Sequence, residues 1–182
     1  MGCAADSETP LIPQARLRDG QTVSFRAAGA GDAQALREFF GGLCANSLRF
    51  RFFTGAANID SAAHWAAVSE PGGMGIVAID QTDTLIGHAA YVPLNEQSAE
   101  VAVEVADRLH GLGMGTIMVE RLAEQAEARG VSQFVAEVLP DNKAMLDVFR
   151  DGFDAKVSFD RGTDAVEFPT SAWRLARLRF EG

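Results

Sequence analysis

Three glycines, Gly111, Gly113 and Gly115, stand between an alternating stretch that predicts a strand and a long amphipathic stretch that predicts a helix. Glycines in such a connection let the main chain come close to a ligand, and the first turn of a helix presents N–H groups that have no partner within the helix. These groups and the helix dipole attract negative charge. The pattern is therefore typical of a pyrophosphate site, although a strand-to-helix turn without a ligand could carry the same glycines.

Two other phosphate-binding motifs fit these glycines poorly. A Walker A loop ends in Gly-Lys-Ser or Gly-Lys-Thr, whereas the segment 114–116 reads Met-Gly-Thr. A dinucleotide fingerprint places GxGxxG directly after its strand, whereas here the spacing is GxGxG after several intervening residues.

Two glutamates precede the glycines on the predicted strand. Residues four apart share one face of a strand, so Glu100 and Glu104 point the same way. Such a carboxylate can take the proton of an ammonium, directly or through a water, once partial burial or a like charge raises its pKa from ~4.3. The pattern thus allows general-base chemistry on an amine, and it equally describes a solvated strand face.

The rest of the chain alternates between strand and helix patterns. Strands are predicted at 22–26, 75–80, 85–92, 99–105, 134–139, 156–159 and 165–168, and helices at 32–43, 47–53, 59–69, 113–129 and 142–150. Gly130 ends the longest helix, and the stretch from Ser171 onward has no assigned structure. This order of elements predicts an α/β (α+β) protein in which helices pack on a mixed sheet.

The composition indicates one acidic globular domain. The chain has 182 residues, 47% of them hydrophobic, and a formal net charge of −9, which disfavours nonspecific nucleic-acid binding because phosphate backbones require a basic face. No apolar run reaches the ~20 residues that span a bilayer, and no secretory signal is recognisable, so we expect a cytoplasmic protein without membrane association. We expect residues 1–16 to form a flexible leader, 17–170 the domain and 171–182 a tail.

The cysteines predict neither a disulfide framework nor a metal site. Cys3 and Cys44 are the two cysteines, and no Cys/His cluster has zinc spacing. Cys44 lies in an apolar helical stretch, so we expect it to be a small buried hydrophobic residue.

The run 105–116 resembles the signature loop of the GNAT family of N-acetyltransferases, Gln/Arg-x-x-Gly-x-Gly/Ala. The resemblance continues through 141–145 and 149–153, and the stretches 17–20 and 47–53 are similar to the bacterial protein lysine acetyltransferase branch of that family. It therefore extends over nearly the whole chain. The length leaves no room for the synthetase-like or cyclic-nucleotide-binding module to which that branch is often fused, so we expect a stand-alone catalytic domain.

The resemblance implies the GNAT fold, a mixed and mostly antiparallel sheet flanked by helices and splayed between its fourth and fifth strands. It also implies acetyl-CoA as cosubstrate, without a metal. The pantetheine arm would lie along Val103 to Val105, and a main-chain N–H near Val103 would stabilise the oxyanion. Asn142 would either bond the pantetheine or cap a helix. The pyrophosphate would accept hydrogen bonds from the N–H groups of Leu112, Gly113, Met114, Gly115 and Thr116.

Glu100 falls where the resemblance places the catalytic glutamate of the family, and Glu104 is the second choice. Two residues depart from the family pattern. His110 replaces the Gln or Arg of the motif, and Phe149 stands where many relatives carry the tyrosine that protonates the leaving thiolate. The sole tyrosine, Tyr91, belongs to an earlier strand, so water remains as the proton donor.

The implied function is transfer of an acetyl group from acetyl-CoA to a primary amine by direct nucleophilic attack. On the branch resemblance the acceptor is a protein lysine, and an acyl-CoA synthetase is a candidate protein substrate. Two alternatives remain open. One is acetylation of a small-molecule amine such as a polyamine or an aminoglycoside, and the other is a non-catalytic acyl-CoA-binding sensor that keeps the loop without a working base.

Overall fold

Eight strands form a single sheet in the computed structural model, which describes residues 14–53, 57–67 and 71–180. They are β1 (Gln14–Arg16), β2 (Thr22–Ala27), β3 (Met74–Ile79), β4 (Leu85–Pro93), β5 (Ser98–Val105), β6 (Gln133–Val138), β7 (Lys156–Asp160) and β8 (Thr163–Pro169). Their order across the sheet is β1-β2-β3-β4-β5-β6-β8-β7. Neighbouring strands are antiparallel except β5 and β6, which run parallel.

Helices cover both faces of this sheet. On one face lie α1 (Ala33–Gly41), α2 (Ala45–Phe52) and α3 (Ile59–Ala67), and on the other lie α4 (Met114–Ala128), α5 (Lys143–Phe153) and α6 (Trp173–Phe180). Val77 of β3 packs with Leu36 and Phe40 of α1, whereas Ile76 and Ala78 pack into the core under the second group. Because successive side chains of a strand point to opposite faces, a strand covered on both sides is apolar throughout.

The strands β5 and β6 separate over most of their length. Their register pairs only Ser98–Glu100 with Gln133–Val135, although β5 continues to Val105 and β6 to Val138. β4 pairs with the other edge of β5, and β8 pairs with the far edge of β6, so both strands remain extended while they diverge. The expected splay is therefore present, and it lies between the fifth and sixth strands because the short β1 shifts the numbering by one.

Two glycines hold the start of α4 between the sheet and α5. A Cβ built on Gly87 of β4 would lie 2.5 Å from Met114 Cε and 2.8 Å from Met118 Sδ. A Cβ on Gly152 of α5 would lie 3.2 Å from Thr116 Cγ2. The absence of side chains at these two positions lets the first turns of α4 pack closely on both neighbours.

The predicted α/β (α+β) class is confirmed. The stretch that had no assigned structure in the sequence forms α6, which packs on α4. Arg177 joins the two helices, because its Nε donates to Glu120 Oε1 and its Nη2 to Glu124 Oε2, both at 2.7 Å. At the other end, residues 14–16 of the expected leader form β1, and residues 1–13 lie outside the described residues.

Candidate active site

A cavity of about 600 Å³ occupies the wedge between β5 and β6. Its walls come from those two strands, the loop after β5, the first turn of α4, one side of α5 along its length, and α2. A volume of this size suits a small organic ligand. The residues predicted from the sequence that line it are Glu100, Val103, Glu104, Val105, Gly113, Met114, Gly115, Thr116 and Asn142. The structure thus brings together the predicted site residues other than Leu112.

The glycine loop is held in one conformation by its own backbone and by Arg18. Gly111 and Gly113 have φ values of 78° and 87°, in the left-handed region that favours glycine. The Arg18 main-chain N–H donates to the Leu112 carbonyl oxygen, and Arg18 Nη1 donates to the Gly111 carbonyl oxygen, each at 3.2 Å. The Leu112 N–H donates to the Leu109 carbonyl oxygen at 3.4 Å. The Leu112 N–H is therefore hydrogen-bonded within the loop and is not one of the N–H groups that line the cavity.

The N-terminus of α4 presents main-chain N–H groups to the cavity. Gly113 is the N-cap residue, and no side chain caps this helix. The N–H of Ile117 donates to the Gly113 carbonyl oxygen at 3.1 Å. The N–H groups of Met114, Gly115 and Thr116 precede that bond in the first turn, where helical N–H groups lack partners in the helix. The arrangement suits an anionic ligand.

The two glutamates occupy different environments in the cavity. Glu100 is exposed and lies at the last paired position of β5 and β6, where the strands separate. Glu104 lies closer to the glycine loop and is 7% exposed. Burial raises the pKa of the Glu104 carboxyl to about 8, although the Arg51 guanidinium opposes the rise. A carboxyl group with this pKa can accept and release a proton near neutral pH.

Two residues that the sequence analysis did not identify lie beside Glu104. Arg51 reaches the cavity from α2, and its Nε is buried without a hydrogen-bond partner. His88 of β4 stands directly opposite Glu104 in the β4–β5 register and is 1% exposed. Burial, together with the Arg51 charge, lowers the pKa of His88 to about 3, so the imidazole is neutral near pH 7. A histidine within an otherwise apolar strand was the signal in the sequence that could have marked this position.

Asp107, in the loop after β5, anchors α2 over the cavity. The Ser47 Oγ donates to Asp107 Oδ1 at 2.6 Å, and the Cys44 N–H donates to Asp107 Oδ2 at 2.8 Å. Cys44 itself is the N-cap of α2, and its Sγ accepts from the Ser47 N–H at 3.4 Å. The prediction that Cys44 is buried is wrong, since the side chain is exposed at the start of this helix.

The segment after β6 contributes a cap and an ion pair. Asn142 Oδ1 accepts from the Met145 N–H at 3.2 Å and so caps α5. The cap uses the carbonyl oxygen, which leaves the amide nitrogen able to donate to a ligand in the cavity. The neighbouring Asp141 forms an ion pair with Arg49 of α2, which joins the two sides of the cleft at its rim.

Two aromatic residues explain why no tyrosine side chain lines the cavity. Phe149 lines the cavity and packs on Phe168 with ring centroids 5.4 Å apart. Tyr91 is buried in the core against Phe134, at 5.6 Å between centroids. The position at which many GNAT relatives carry a tyrosine is therefore apolar in this protein.

Neither a metal site nor a membrane-spanning helix is present among residues 14–53, 57–67 and 71–180. Within those ranges, no group of three or more His, Cys, Asp or Glu side chains could hold a metal ion. No helix in the same part of the chain is both long enough and apolar enough to cross a membrane.

Comparison with known proteins places this geometry among acetyltransferases. The chain matches the acetyltransferase (GNAT) family over residues 45–153, from the start of α2 to the end of α5. It is 37% identical over 87 residues to the acetyltransferase Pat of Mycolicibacterium smegmatis, in an alignment that covers 48% of this chain and 24% of that protein. The chain thus spans about a quarter of the length of this relative.

Solved structures share the fold. The GNAT domain of S. lividans PAT superposes with a TM-score of 0.77 and 30% identity, covering 86% of this chain and 95% of that domain. A phosphinothricin acetyltransferase from Sinorhizobium meliloti, solved in complex with acetyl-CoA, has a TM-score of 0.62 and 18% identity, covering 81% of this chain and 88% of that one. The second likeness concerns the fold alone. On the family match and the S. lividans domain, the chain belongs to the acetyltransferase (GNAT) family.

Proposed function

We propose that this chain transfers the acetyl group of acetyl-CoA to a primary amine, and that the acceptor is a lysine side chain of a protein. The observation that carries the proposal is the single cavity that joins the first turn of α4, the diverging edge of β5 and two glutamates. The resemblance of the stretches 17–20 and 47–53 to the protein lysine acetyltransferase branch favours a lysine acceptor. The similarity to acetyltransferase Pat and to the S. lividans PAT domain is consistent with this choice.

The donor would be held mainly by the main chain. Its pyrophosphate would accept hydrogen bonds from the N–H groups of the segment 113–116, where the helix dipole favours negative charge. Its pantetheine amides would pair with β5 along Val103 to Val105, as an added strand does at a free sheet edge. The amide nitrogen of Asn142 is a further donor in the same cavity.

The transfer requires an unprotonated amine beside the thioester. The amine nitrogen attacks the carbonyl carbon, the C–N bond forms, and the C–S bond breaks as the coenzyme A thiolate leaves. The second proton that the nitrogen loses on becoming an amide passes through water to that thiolate. Glu100 or Glu104 accepts the proton that the ammonium gives up. Glu100 holds the position that the family resemblance assigns to the base, and Glu104 has the pKa that suits the task. A main-chain N–H near Val103 would stabilise the oxyanion.

Glutamine variants of the two glutamates test this function, with Glu96→Gln as the matched control. Glu96 is exposed in the turn between β4 and β5 and does not line the cavity. We expect wild type and the three variants to bind acetyl-CoA with similar Kd values in calorimetry. Loss of the base should reduce coenzyme A release with lysine peptides by about 100-fold or more, whereas Glu96→Gln should retain the wild-type rate.

The same assay distinguishes the alternatives. A wild type that binds acetyl-CoA and acetylates no amine in a panel of lysine peptides, polyamines and aminoglycosides would be a sensor, which would contradict the proposal. Acetylation of small amines without acetylation of any peptide would reassign the acceptor. Mass spectrometry of a lysate treated with the pure enzyme, with an acyl-CoA synthetase added, would identify protein acceptors. The predicted compartment of the protein remains the cytoplasm.

A further inference from the structure

The strand at the end of the sheet, β7, is unpaired on its outer side. It pairs with β8 and stands last in the strand order, so no strand within the described ranges covers its other edge. Most of its residues are exposed, and Phe159 is 69% exposed. No residue of β7 lines the cavity between β5 and β6. This edge is therefore separate from the candidate active site.

The turn between β7 and β8 shows which main-chain groups point outward. The segment 161–162 is a two-residue turn with φ values of 46° and 97°, as in type I′ hairpins. The residues that flank such a turn, Asp160 and Thr163, form the first hydrogen-bonded pair of the ladder. Hydrogen-bonded and non-hydrogen-bonded pairs alternate along an antiparallel ladder. Val157 and Phe159 therefore direct their N–H and C=O groups away from β8, where they form a template for another strand.

The sequence of β7 is complementary to itself when two copies run antiparallel. Lys156 and Asp160 are the end residues of the strand, and Ser158 is its centre. A two-fold axis through Ser158 places Lys156 of each copy opposite Asp160 of the other, and opposite charges in these positions stabilise strand pairing. The same axis places Val157 opposite Phe159, and each of these pairs can exchange both N–H···O bonds because their main-chain groups point outward.

Charge selects this register over its neighbours. The main-chain hydrogen bonds form only when outward-pointing residues stand opposite one another, so the possible registers differ by two residues. Pairing Val157 with its own copy places Lys156 opposite Ser158, and pairing Phe159 with its own copy places Asp160 opposite Ser158. Neither alternative brings opposite charges together. The register centred on Ser158 is the one that satisfies both the main chain and the charges.

We propose that β7 is a dimerisation edge, at which a second copy of this chain pairs antiparallel about Ser158 and joins the two eight-stranded sheets into one. The inference goes beyond the proposed function and does not depend on it. Val157 packs against the core on the helix side of the sheet, so Phe159 of the second copy would extend that apolar layer. A lysine on an edge strand discourages pairing with other chains, whereas here Asp160 of the second copy compensates for Lys156.

Reversing the charges tests both the partner and the register. A contact between two short strands is small, so we expect the wild type to dimerise with a Kd of about 10–100 µM in sedimentation equilibrium. Lys156→Asp and Asp160→Lys, each alone, place like charges opposite one another and should raise the Kd about tenfold or more. An equimolar mixture of the two variants should regain the wild-type Kd, because each charge pair across the interface then joins a lysine to an aspartate.

Arg37→Asp is the matched control, because it makes a comparable change of charge on α1, which packs on β3 at a distance from β7 in the strand order. It should dimerise as the wild type does. A wild type that stays monomeric up to about 1 mM would overturn the inference and leave the edge to a strand of another protein. Single variants that dimerise like the wild type would also overturn it, as would folded single variants whose mixture stays monomeric.

A disulfide provides a second measurement that leaves the charges in place. In the proposed register, the two Ser158 residues form a non-hydrogen-bonded pair with Cα atoms about 4.5 Å apart, within the range that a disulfide spans. We expect Ser158→Cys to give a covalent dimer on mild oxidation at the wild-type Kd. Wild type reports any crosslinking through Cys3 and Cys44.

Arg161→Cys is the control for this disulfide, since Arg161 is exposed in the adjoining turn and its two copies lie at opposite ends of the paired strands. It should remain at the wild-type level of crosslinking. This comparison also serves if Lys156→Asp does not fold, because Lys156 stands opposite Glu167 of its own hairpin. Equal crosslinking in Ser158→Cys and Arg161→Cys would overturn the inference. A dimer that acetylates no amine would contradict the proposed function alone.

Discussion

Glu100 and Glu104 show how one strand gives two identical side chains different properties. They stand four residues apart on β5, yet Glu100 is exposed at the point of splay while Glu104 is buried beneath α2. Burial raises the pKa of Glu104 to about 8, since a carboxylate loses hydration in such a place.

The pH dependence of stability checks the state of Glu104 without any substrate. The folded protein retains a proton up to a pKa of about 8, whereas the unfolded chain releases it near the ordinary value of 4.5. The free energy of unfolding of the wild type should therefore decrease as the pH rises through this window. Glu104→Gln removes the titration, so this variant should gain stability relative to wild type above pH 8 and lose that advantage near pH 4.5.

Urea denaturation of wild type, Glu104→Gln and Glu96→Gln between pH 4.5 and 9 measures these curves. The Glu96→Gln curve should follow the wild type, because Glu96 is exposed outside the cavity. If the Glu104→Gln curve also ran parallel to the wild type, the Glu104 carboxyl would titrate alike in both states and could not be a buried base.

At the residue scale, the sequence predicts the local parts of the site and misses the parts that burial creates. The glycines and the glutamates are recognisable because their spacing fits a strand, a turn and a helix start. Arg51 lies within the aromatic-rich stretch 47–53, and nothing local shows that α2 folds back onto β5. His88 stands out in the sequence as a histidine in an apolar strand, but its place opposite Glu104 follows from the register, and register is set by the whole sheet.

At the scale of elements, the start of α4 depends on backbone conformation more than on side chains. Gly113 ends the loop with a φ of 87°, and the helix that follows has no side-chain cap. A Cβ on Gly113 would approach only the Arg18 side chain, at 3.8 Å from Nε and 4.0 Å from Cγ, which are ordinary contacts. The requirement for glycine at this position is therefore conformational.

Replacing Gly113 tests whether this conformation binds the donor. Gly113→Ala forces alanine into the left-handed region, at a cost of about 1–3 kcal/mol, which the loop can relieve by turning its N–H groups away from the cavity. We expect the Kd for coenzyme A to rise about tenfold in calorimetry. Gly162→Ala is the matched control, because Gly162 has a φ of 97° and open space around it in the turn between β7 and β8.

The control should lose comparable stability and bind coenzyme A as the wild type does. Equal weakening in both variants would show that the effect comes from global destabilisation. Unchanged binding in Gly113→Ala would remove the glycine loop from the donor site.

Helix α6 shows which elements the sequence leaves undetermined. Its helical pattern is weak because Leu175 and Leu178 are exposed while Ala176 is buried. Its attachment to α4 relies on Arg177 and on Trp173, whose Nε1 donates to Glu127 Oε2 at 2.7 Å. Polar contacts between distant segments leave no periodic pattern of apolar residues in the sequence. Hydrophobic periodicity therefore predicts α4 but does not predict α6.

At the scale of the whole molecule, charge favours a cationic acceptor over an anionic one. The formal net charge is −9. The acidic side chains that line the cavity are Glu100, Glu104, Asp107, Glu137, Asp147 and Asp151, and the arginines are Arg18 and Arg51. A field of this sign raises the local concentration of cations, whereas the anionic donor must rely on the N–H groups of the α4 terminus.

Ionic strength should therefore affect the two substrates in opposite directions. Raising salt from about 20 to 300 mM shortens the Debye length to less than 10 Å, so kcat/KM for a peptide with lysines flanking the acceptor should fall about threefold or more. The KM for acetyl-CoA should decrease, because salt screens its repulsion from the same carboxylates. Steady-state assays that vary each substrate in turn measure both effects. For a control peptide with glutamates flanking the acceptor, kcat/KM should rise with salt instead of falling. Equal salt dependence for the two peptides would mean that the acidic surface does not guide the acceptor, and recognition would then depend on contacts at the rim of the cleft.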